Sequence, residues 1–516
     1  MNAEAPRGMV YLAGSGPGDP GLMTVRVHDL LKSCDVLVYD ALVTPEILAL
    51  VPPKIERIYV GKRGNKHTVE QPDINKILVT QAQAGKKVLR LKGGDPYLFG
   101  RGAEEAEELL EAGVSFEVVP GVTAGIAAPA YAGIPVTHRE HSSAVAFVTG
   151  HEDPTKPESA LDWQALSRVG TLCFYMGVKN LGRISSELSK HIPASTPVAV
   201  IQWGTTPRQR SVAGTLANIE ARVREAGIEA PALTVVGGVV ALREKLNFFE
   251  QRPLFGRRIV VTRSRAQASD LAVTLNTLGA ETLLFPTIKI APPEDAKSFE
   301  RAIAHADRFD WLVLTSVNGV DALFEELAKQ GKDARFFGKA KFAAIGPATA
   351  ERLLHFGIKA DLMPPKYVAE EIVEALMRAG VFDTAKKEGR TLRFLLARAD
   401  IARSALPDAL RDLGADATEV VAYRTILETE GQEEALAALE DGEVDAVTFT
   451  SSSTARNFVQ ILGPERLARA LGSKRLKCLS IGPITSQTMR ELKLPVHGEA
   501  AEHDIPGLVK LLGASL

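Results

Sequence analysis

Short runs of valine, isoleucine and leucine alternate with longer amphipathic segments along the whole chain, and this alternation constrains the fold more than any other feature. Such a pattern is typical of mostly parallel sheets covered by helices. Strand candidates in the first half are residues 36–39, 88–91, 116–119, 144–149, 171–175 and 233–236. Helical stretches such as 102–112 and 216–226 lie between them. We therefore predict an α/β protein.

The chain is long enough for more than one domain. Its 516 residues exceed what a single hydrophobic core supports. The stretch around Pro253 is mixed in composition, and a new strand-like run begins at residue 258. We therefore predict a first domain over 1–247, a linker over 248–256 and a second domain over 257–516.

Composition excludes several classes of protein. No apolar run approaches the roughly 20 residues that a membrane span needs, and the few residues before the first strand-like run leave no room for a signal peptide. Cys34, Cys173 and Cys478 are far apart, which argues against a disulfide framework or a metal cluster and fits a reducing cytoplasm. The net charge of −2 does not indicate nucleic-acid or membrane binding. We expect a cytoplasmic protein without a bound metal.

The second half contains an internal repeat. A Thr-Ser pair follows an apolar run at 315–316 and again at 450–451. An Ile-Gly-Pro-x-Thr stretch follows each pair about 30 residues later, at 345–349 and at 481–485. Matching order and spacing predict two similar lobes that face a shared cleft. The alternative is the ordinary loop composition of α/β proteins.

Three glycine-rich loops follow strands of the first half, at residues 14–21, 91–102 and 119–125. Glycine allows the backbone to approach a ligand closely, and open α/β sheets bind ligands at the carboxyl ends of their strands. The first loop is not a dinucleotide fingerprint, because Asp19 replaces the third glycine and Pro17 interrupts the turn. The loops predict a site for a small molecule.

On these motifs, residues 9–240 resemble the tetrapyrrole methylase family, and specifically uroporphyrinogen-III C-methyltransferases. The motifs that carry the resemblance are residues 14–24, 36–42, 61–64, 90–102, 119–124, 133–139, 149–151, 175–177 and 204–205. The resemblance implies two α/β lobes, S-adenosylmethionine in the cleft between them, and a homodimer formed through this half. It places around the cofactor Pro17, Gly93, Gly94, Asp95, Leu98, Thr123, Ala124, Met176 and Gly204. Taken alone, Met176 is more typical of a packed core, and Asp95 is more typical of a loop or helix cap.

The same resemblance implies transfer of two methyl groups to ring carbons of uroporphyrinogen III, which gives precorrin-2. Asp40 matches the family's proton acceptor and Lys62 its proton donor; the alternatives are a helix cap and a solvated lysine. The substrate carries many carboxylates, and residues 54–101 contain eleven lysines or arginines against four acids. Guanidinium groups suit carboxylates, so Arg63 and Arg101 are candidate substrate ligands. His138 and His141 lack further clustered ligands, and no metal site is predicted.

Residues 257–516 resemble uroporphyrinogen-III synthases. The matching stretches are residues 315–320, 345–350, 422–425, 450–454 and 481–485, with a weaker match at 501–508. The resemblance implies two lobes joined by a two-stranded ladder, one over 257–291 plus 427–516 and the other over 292–426. It also implies that hydroxymethylbilane, a linear tetrapyrrole, is cyclised with loss of water and without a cofactor.

Hydroxyl groups and helix N-termini should line the cleft of this half, where they would attract the acetate and propionate groups of the substrate. The candidate substrate-binding residues are Thr315, Ser316, Thr349, Thr450, Ser451 and Thr485. Tyr423 is the candidate for assisting departure of the hydroxyl group; the alternative is a strand tyrosine that packs at the lobe junction.

Together the two halves predict an enzyme that makes uroporphyrinogen III and then methylates it to precorrin-2, a precursor of both sirohaem and cobalamin. The alternative is a methylase of another corrinoid fused to a non-catalytic tetrapyrrole-binding module. Both interpretations make small tetrapyrroles the partners of the chain.

Overall fold

The computed structural model describes residues 8–61, 69–151, 161–262, 265–366, 369–400 and 404–516. Strands and helices alternate through these ranges, which confirms the predicted α/β class. The chain divides into two compact units, one formed by 1–259, 272–282 and 512–516, the other by 260–271 and 283–511. The predicted boundaries of the domains and the linker stay predictions.

The first sheet is entirely parallel. Its strands are β1 (Met9–Gly14), β2 (Val36–Tyr39), β3 (Glu56–Tyr59), β4 (Lys87–Lys92) and β5 (Ser115–Val119), in the order β3-β2-β4-β1-β5. The helices are α1 (Val25–Ser33), α2 (Pro45–Leu48), α3 (Gln71–Gln83) and α4 (Gly102–Glu111). Because the strands are parallel, the loops that follow them gather at one edge of the sheet.

The second sheet is mixed. Its strands are β6 (Val145–Thr149), β7 (Thr171–Tyr175), β8 (Pro197–Gln202), β9 (Arg210–Thr215) and β10 (Ala232–Gly237), in the order β6-β7-β10-β8-β9. The helices are α5 (Ala124–Tyr131), α6 (Trp163–Leu166), α7 (Leu181–Ser189), α8 (Ile219–Glu225) and α9 (Arg243–Leu246). Strands β6 and β7 are parallel, and the other neighbours are antiparallel.

Predicted elements of the first half occur where the sequence places them, within a few residues at their ends. Helix α1 begins after Thr24, because the Thr24 hydroxyl accepts a hydrogen bond from the Val27 amide at 3.3 Å. Helix α8 is shorter than the predicted stretch 216–226. The Asn218 side chain accepts a hydrogen bond from the Thr215 amide at 2.8 Å, which forms a turn before the helix.

The stretch predicted as a linker packs against the first unit. Phe249 and Leu254 are buried, and the rings of Phe249 and Tyr131 lie 4.7 Å apart. The Glu250 carboxylate accepts a hydrogen bond from the Gln209 amide group at 2.8 Å and forms an ion pair with Arg243. Both apolar and ionic contacts therefore hold this stretch.

The remaining strands form two further five-stranded sheets. They are β11 (Arg258–Val261), β12 (Glu281–Leu284), β13 (Ile288–Ala291), β14 (Trp311–Leu314), β15 (Lys341–Ala344), β16 (Arg393–Ala399), β17 (Asp416–Leu427), β18 (Ala446–Phe449), β19 (Lys477–Ser480) and β20 (Gly498–Glu499). The third sheet has the order β12-β11-β18-β19-β20, and the fourth has the order β13-β17-β16-β14-β15.

Helices α10 to α20 connect these strands. They are α10 (Arg265–Thr277), α11 (Ala296–Ala304), α12 (Val317–Lys329), α13 (Pro347–His355), α14 (Ala369–Arg378), α15 (Val381–Lys387), α16 (Ala405–Asp412), α17 (Glu433–Glu440), α18 (Ser452–Leu471), α19 (Pro483–Glu491) and α20 (Ile505–Ser515). Short 3-10 helices lie at Pro20–Leu22, Val178–Asn180, Gly238–Leu242, Ala306–Arg308 and Ala334–Phe337. Helix α18 is kinked at Gly463, whose φ is 68°.

The structure confirms the internal repeat. In one copy β14 leads into α12 and β15 into α13; in the other β18 leads into α18 and β19 into α19. Each pair of strands is parallel. Ser316 and Ser451 cap the first helix of each copy with nearly identical backbone angles, φ −164° and ψ 157° against φ −165° and ψ 161°. The two copies are therefore equivalent strand–loop–helix units.

An antiparallel ladder lies at both of the predicted lobe boundaries. It pairs β13 with the end of β17, from Ile288 opposite Leu427 to Ala291 opposite Arg424. The ladder places β13 in the fourth sheet, although the chain reaches it directly from β12 of the third. The two sheets are thus connected by short, paired segments of chain.

Two expectations from composition can be compared with the structure. All three cysteines are free and buried, and burial raises the pKa of the Cys34 thiol to about 11. Within the described ranges, none of the helices combines the length and apolarity needed to cross a bilayer.

The caps of the repeat predict a measurable contribution to stability. Ser451→Ala removes a side chain that accepts a hydrogen bond from the Thr454 amide, so we expect the free energy of unfolding to fall by about 1 kcal/mol. The matched control is Ser404→Ala, because Ser404 precedes α16 without capping it. Urea denaturation followed by circular dichroism measures both, and equal effects of the two substitutions would contradict the prediction.

Candidate active sites

Three glycine loops meet backbone to backbone at the carboxyl edge of the first sheet. Gly16 and Gly94 exchange two hydrogen bonds, with N–O distances of 3.2 and 2.7 Å. A Cβ atom on Gly14 or on Gly121 would lie 2.2 Å from the Gly94 carbonyl oxygen. No side chain fits at either position, so glycine is required here for the close approach of the loops.

Side chains of the second and third loops hold this arrangement. The Asp95 carboxylate accepts hydrogen bonds from the amides of Gly121 at 3.0 Å, Tyr97 at 2.8 Å and Leu98 at 3.1 Å. Asp95 is therefore a loop cap in the structure, which was its alternative interpretation. The Thr123 hydroxyl lies 2.5 Å from the Tyr175 hydroxyl, and burial raises the pKa of Tyr175.

Gly93 and Gly94 are adjacent but are constrained differently. A Cβ atom on Gly93 would lie 2.6 Å from the Cβ atom of Leu42, so this glycine is needed for packing. Gly94 has a φ of +67°, and its Cβ atom would have nothing nearer than Thr123 and Ala124 at 3.8 Å. The space beside Gly94 is therefore open, and it is bordered by two of the residues predicted to contact the cofactor.

Unfavourable backbone conformations cluster around the same loops. Among the described residues, six other than glycine have a positive φ, and five of these follow β4, β7 or β8. The five are Phe99, Arg101, Met176, Trp203 and Thr205, with φ between 49° and 73°. Such conformations cost about 1 to 3 kcal/mol each and concentrate at active sites. Met176 is 51% exposed, so the structure does not support core packing for it.

Loops of the second sheet contact loops of the first. The Asp19 amide donates a hydrogen bond to the Thr205 hydroxyl at 3.2 Å, and the Tyr131 hydroxyl donates one to the Asp19 carboxylate at 2.7 Å. A Cβ atom on Gly204 would lie 2.3 Å from Ala128, so this loop is packed against α5. The rings of Phe99 and Tyr175 lie 5.0 Å apart. The structure thus brings the predicted cofactor residues of both sheets into one region.

Asp40 follows β2 at the same edge and remains 25% exposed. One carboxylate oxygen accepts a hydrogen bond from the Leu42 amide at 3.1 Å, and the other lies 3.5 Å from the Arg90 guanidinium. Arg90 and Lys92 both contact the buried Glu105 carboxylate, at 3.2 and 2.8 Å. Burial lowers the pKa of Lys92, and the charge of Arg90 lowers it further.

This cluster shows that two of the eleven basic residues of segment 54–101 are not exposed for binding carboxylates. Arg90 and Lys92 are buried side chains paired with Glu105, so they do not belong to an exposed basic face. Sequence reasoning also missed Glu105. A signal was present in the sequence. Arg90 and Lys92 are two residues apart in an apolar strand, so they lie on the same face of it, where an unpaired charge would be unfavourable.

The other predicted substrate and proton-transfer residues of the first half are Lys62, Arg63 and Arg101. Lys62 and Arg63 lie outside the described residues. Gly61, directly before them, is adjacent to the Asp40 turn, since its Cβ atom would lie 2.6 Å from the Ala41 amide nitrogen. Arg101 is described, and its guanidinium forms a bidentate ion pair with Glu104 at 2.6 to 3.1 Å, more than half exposed.

The turn at 138–141 brings a third potential ligand to the two histidines. Ligand atoms of His138, Glu140 and His141 lie within 4.8 Å of one another. Glu140 and His141 are exposed, and the His138 Nδ1 atom already accepts a hydrogen bond from the Glu140 amide. An exposed group of this kind is common without an ion, and no metal chemistry is assigned to it.

In the second unit, the predicted residues lie at the starts of the repeated helices. The Ser316 hydroxyl accepts a hydrogen bond from the Gly319 amide at 3.0 Å and lies 2.9 Å from the Tyr423 hydroxyl. Tyr423 is 7% exposed, and its ring is part of the hydrophobic core. Ser451 forms a capping box with Thr454.

Burial separates the remaining predicted residues of this unit into two groups. Thr349 and Thr485 are buried within their helices, whereas Thr315 and Thr450 are half-buried at the ends of their strands. The serine hydroxyls cap their own helices, which leaves backbone amides of the first helical turns as the available donors.

Comparison with known proteins identifies both halves. Residues 9–220 match the family model of tetrapyrrole (corrin/porphyrin) methylases, and residues 269–510 match that of uroporphyrinogen-III synthase HemD. The porphyrin biosynthesis protein HemD of Ruminiclostridium josui is 35% identical over 492 residues, which cover 94% of each chain. The S-adenosyl-L-methionine-dependent uroporphyrinogen III methyltransferase of Methanosarcina barkeri is 56% identical over 48% of this chain and 96% of its own.

A third relative extends across part of the second half. The uroporphyrinogen-III C-methyltransferase of Bacillus subtilis is 44% identical over 346 residues, which cover 67% of this chain and 71% of its own. The matches to all three relatives and to both family models agree with the resemblance drawn from the glycine loops and the repeat. The chain therefore belongs to the tetrapyrrole methylase family in its first half and to the uroporphyrinogen-III synthase family in its second, fused in one polypeptide.

Proposed function

We propose that this chain carries out two consecutive reactions of tetrapyrrole synthesis. The second half cyclises hydroxymethylbilane to uroporphyrinogen III, and the first half methylates that product twice with S-adenosylmethionine to give precorrin-2. The observation that carries the first activity is the meeting of three glycine loops beside strained loops of the second sheet. Family membership over both halves supports the pairing of the two activities.

The residues at the edge of the first sheet fit S-adenosylmethionine. Gly94 has a conformation that leaves open space beside it, and Thr123 and Ala124 border that space. Met176 exposes about half of its apolar side chain at the neighbouring loop. When bound, S-adenosylmethionine would supply the methyl groups from its sulfonium. We propose that the nine predicted cofactor residues hold it, with Asp95 acting through the loops that it caps.

The chain itself must orient the substrate and remove a proton from it. A pyrrole carbon is electron-rich enough to act as the nucleophile, so no nucleophilic side chain is required. Asp40 is the proposed proton acceptor, because its carboxylate is partly exposed at the edge where the glycine loops meet. Lys62 remains the proposed proton donor. Arg63 and Arg101 are proposed to bind substrate carboxylates. Arg101 would then contact a substrate carboxylate in place of the Glu104 carboxylate.

The second half is proposed to shape its substrate rather than to supply a strong acid and base. Amides of the first turns of α12, α13, α18 and α19 would attract the carboxylates of the bilane. Tyr423 is the proposed proton donor to the departing hydroxyl group, and its contact with Ser316 fixes the position of its own hydroxyl. The six predicted hydroxyl residues lie beside these helix starts.

The resemblance to uroporphyrinogen-III methyltransferases supports two further proposals. The chain would act as a homodimer formed through its first half, and it would act in the cytoplasm. Light scattering of the purified protein measures the mass in solution and tests the dimer.

Incubation of the purified protein with hydroxymethylbilane tests the paired activities. Without S-adenosylmethionine we expect uroporphyrinogen III to accumulate. With S-adenosylmethionine we expect a product that carries two additional methyl groups, with a net mass gain of two CH2 units because a proton is lost at each transfer. Mass spectrometry and separation of the isomers identify both products. Without an enzyme, hydroxymethylbilane closes spontaneously to a different isomer of uroporphyrinogen. Formation of that isomer alone, at the rate seen without protein, would contradict the proposed synthase activity.

Gly94→Ala tests the cofactor site. Gly94 and Gly113 both have φ +67°, and Gly113 has no atom within 4 Å of its Cβ position, so Gly113→Ala is a matched control for backbone strain. We expect both variants to lose about 1 kcal/mol of stability. Calorimetry should show that Gly94→Ala binds S-adenosylmethionine about tenfold more weakly, a loss of about 1.4 kcal/mol in binding free energy. Gly113→Ala should bind it with wild-type affinity. Equal affinities in the two variants would refute the placement.

Tyr423→Phe tests the synthase half. The substitution keeps the buried ring and removes only the hydroxyl, so we expect the fold to persist while cyclisation slows by roughly 100-fold, the effect of losing one positioned proton donor. The ratio of the enzymatic to the spontaneous isomer measures the remaining activity. If the ratio and the rate stay at wild-type values, Tyr423 is a packing residue only.

A further inference from the structure

A buried cluster of charged side chains lies directly behind Asp40. Arg90 and Lys92 extend from β4 and Glu105 from α4, and their side chains are 3%, 7% and 0% exposed. A single oxygen of Glu105, Oε1, accepts hydrogen bonds from Arg90 at 3.2 Å, Lys92 at 2.8 Å and Gln71 at 3.1 Å. Asp40 lies at the edge of this cluster, and its side chain is 25% exposed.

Burial of so many charges needs an explanation, because desolvated ion pairs seldom stabilise a fold more than apolar residues of the same size. The other carboxylate oxygen of Glu105, Oε2, is buried and has no hydrogen-bond partner among the described residues. The cluster is therefore not optimised for stability. What it achieves is a fixed position for the Arg90 guanidinium, which is held by Glu105 on one side.

Arg90 links this cluster to two parts of the proposed methylase site. Its Nη2 atom lies 3.5 Å from the Asp40 carboxylate, and its Nη1 atom donates a hydrogen bond to the Leu91 carbonyl at 3.2 Å, at the start of the second glycine loop. The other oxygen of Asp40 is held by the Leu42 amide. Arg90 and that amide therefore hold the two oxygens of the Asp40 carboxylate between them.

We propose that Arg90 is a positioning residue for methyl transfer, which acts by holding the Asp40 carboxylate in the orientation for proton removal, and that Glu105 and Lys92 hold Arg90 in turn. This inference rests on the proposed function, specifically on Asp40 as the proton acceptor. It predicts that substitution of Arg90 slows methylation only while Asp40 is present. A purely structural role for Arg90 would not depend on Asp40.

A double-substitution cycle separates the two roles. The rate of uroporphyrinogen III methylation is measured at saturating S-adenosylmethionine for the wild type, Asp40→Asn, Arg90→Gln and the double variant. We expect Asp40→Asn to slow the reaction by about 100-fold or more, the usual effect of losing a proton acceptor. Arg90→Gln should slow it by up to roughly 100-fold, since misplacement of a reacting group has effects of that size. The double variant should be within about threefold of Asp40→Asn, because strong coupling is expected for residues that act through each other.

Arg90→Gln leaves Glu105 paired with Lys92, so the buried charges stay balanced and the fold should persist. If this variant does not fold, Arg90→Lys replaces it in the cycle, because a lysine keeps the charge but cannot contact Glu105 and Asp40 together. Calorimetric affinity for S-adenosylmethionine should change by less than a few-fold in each variant. Arg26→Gln is the control, since Arg26 forms an exposed ion pair with Glu117 on the same sheet, and it should methylate at the wild-type rate.

Three outcomes would overturn the inference. If the effects of Asp40→Asn and Arg90→Gln multiply in the double variant, Arg90 acts independently of Asp40. If Arg90→Gln weakens cofactor affinity but leaves the rate at saturation unchanged, Arg90 only supports the glycine loop through Leu91. If Asp40→Asn alone keeps the wild-type rate, the assignment of Asp40 fails and the positioning role fails with it, whereas the methylation activity itself remains established by its product.

Discussion

The contact of backbone with backbone among Gly14, Gly94 and Gly121 is the constraint on which the rest of the methylase half depends. Because no side chain fits between these loops, three strands of the first sheet end at a fixed separation. The Asp95 carboxylate and the Tyr175 hydroxyl then tie the second and third loops in place. The positions of Thr123 and Leu98 follow from that geometry, and so does the open space beside Gly94.

The two halves build their sites by different physical means. The first half uses strained backbone and buried charge, both of which lower stability and are tolerated because the surrounding sheets are well packed. The second half uses duplication: two equivalent units present capped helix starts from the ends of parallel strands. Strain suits a site that must fit one cofactor closely, and repeated amide donors suit a long substrate with carboxylates along its length.

Much of this organisation could be predicted from the sequence, because it follows from local rules. Apolar runs predicted the strands, and the Thr-Ser pairs predicted the repeat. The buried cluster could not be predicted by counting charges. A count does not distinguish Arg90, whose side chain is 3% exposed, from a surface arginine, and its partner Glu105 lies on a different element. The positive φ of Met176 likewise depends on loop contacts that no local sequence rule specifies.

The packing of residues 247–254 has a practical consequence for anyone who separates the halves. A chain cut after Leu246 would lose Phe249 and leave the Tyr131 ring uncovered, and it would remove the carboxylate that Gln209 and Arg243 share. Since the Tyr131 hydroxyl supports Asp19 in the first glycine loop, that damage would reach the proposed cofactor site. A cut after Gly256 keeps these contacts. Loss of methylation in a fragment that ends too early would then reflect where the chain was cut and not dependence on the synthase half.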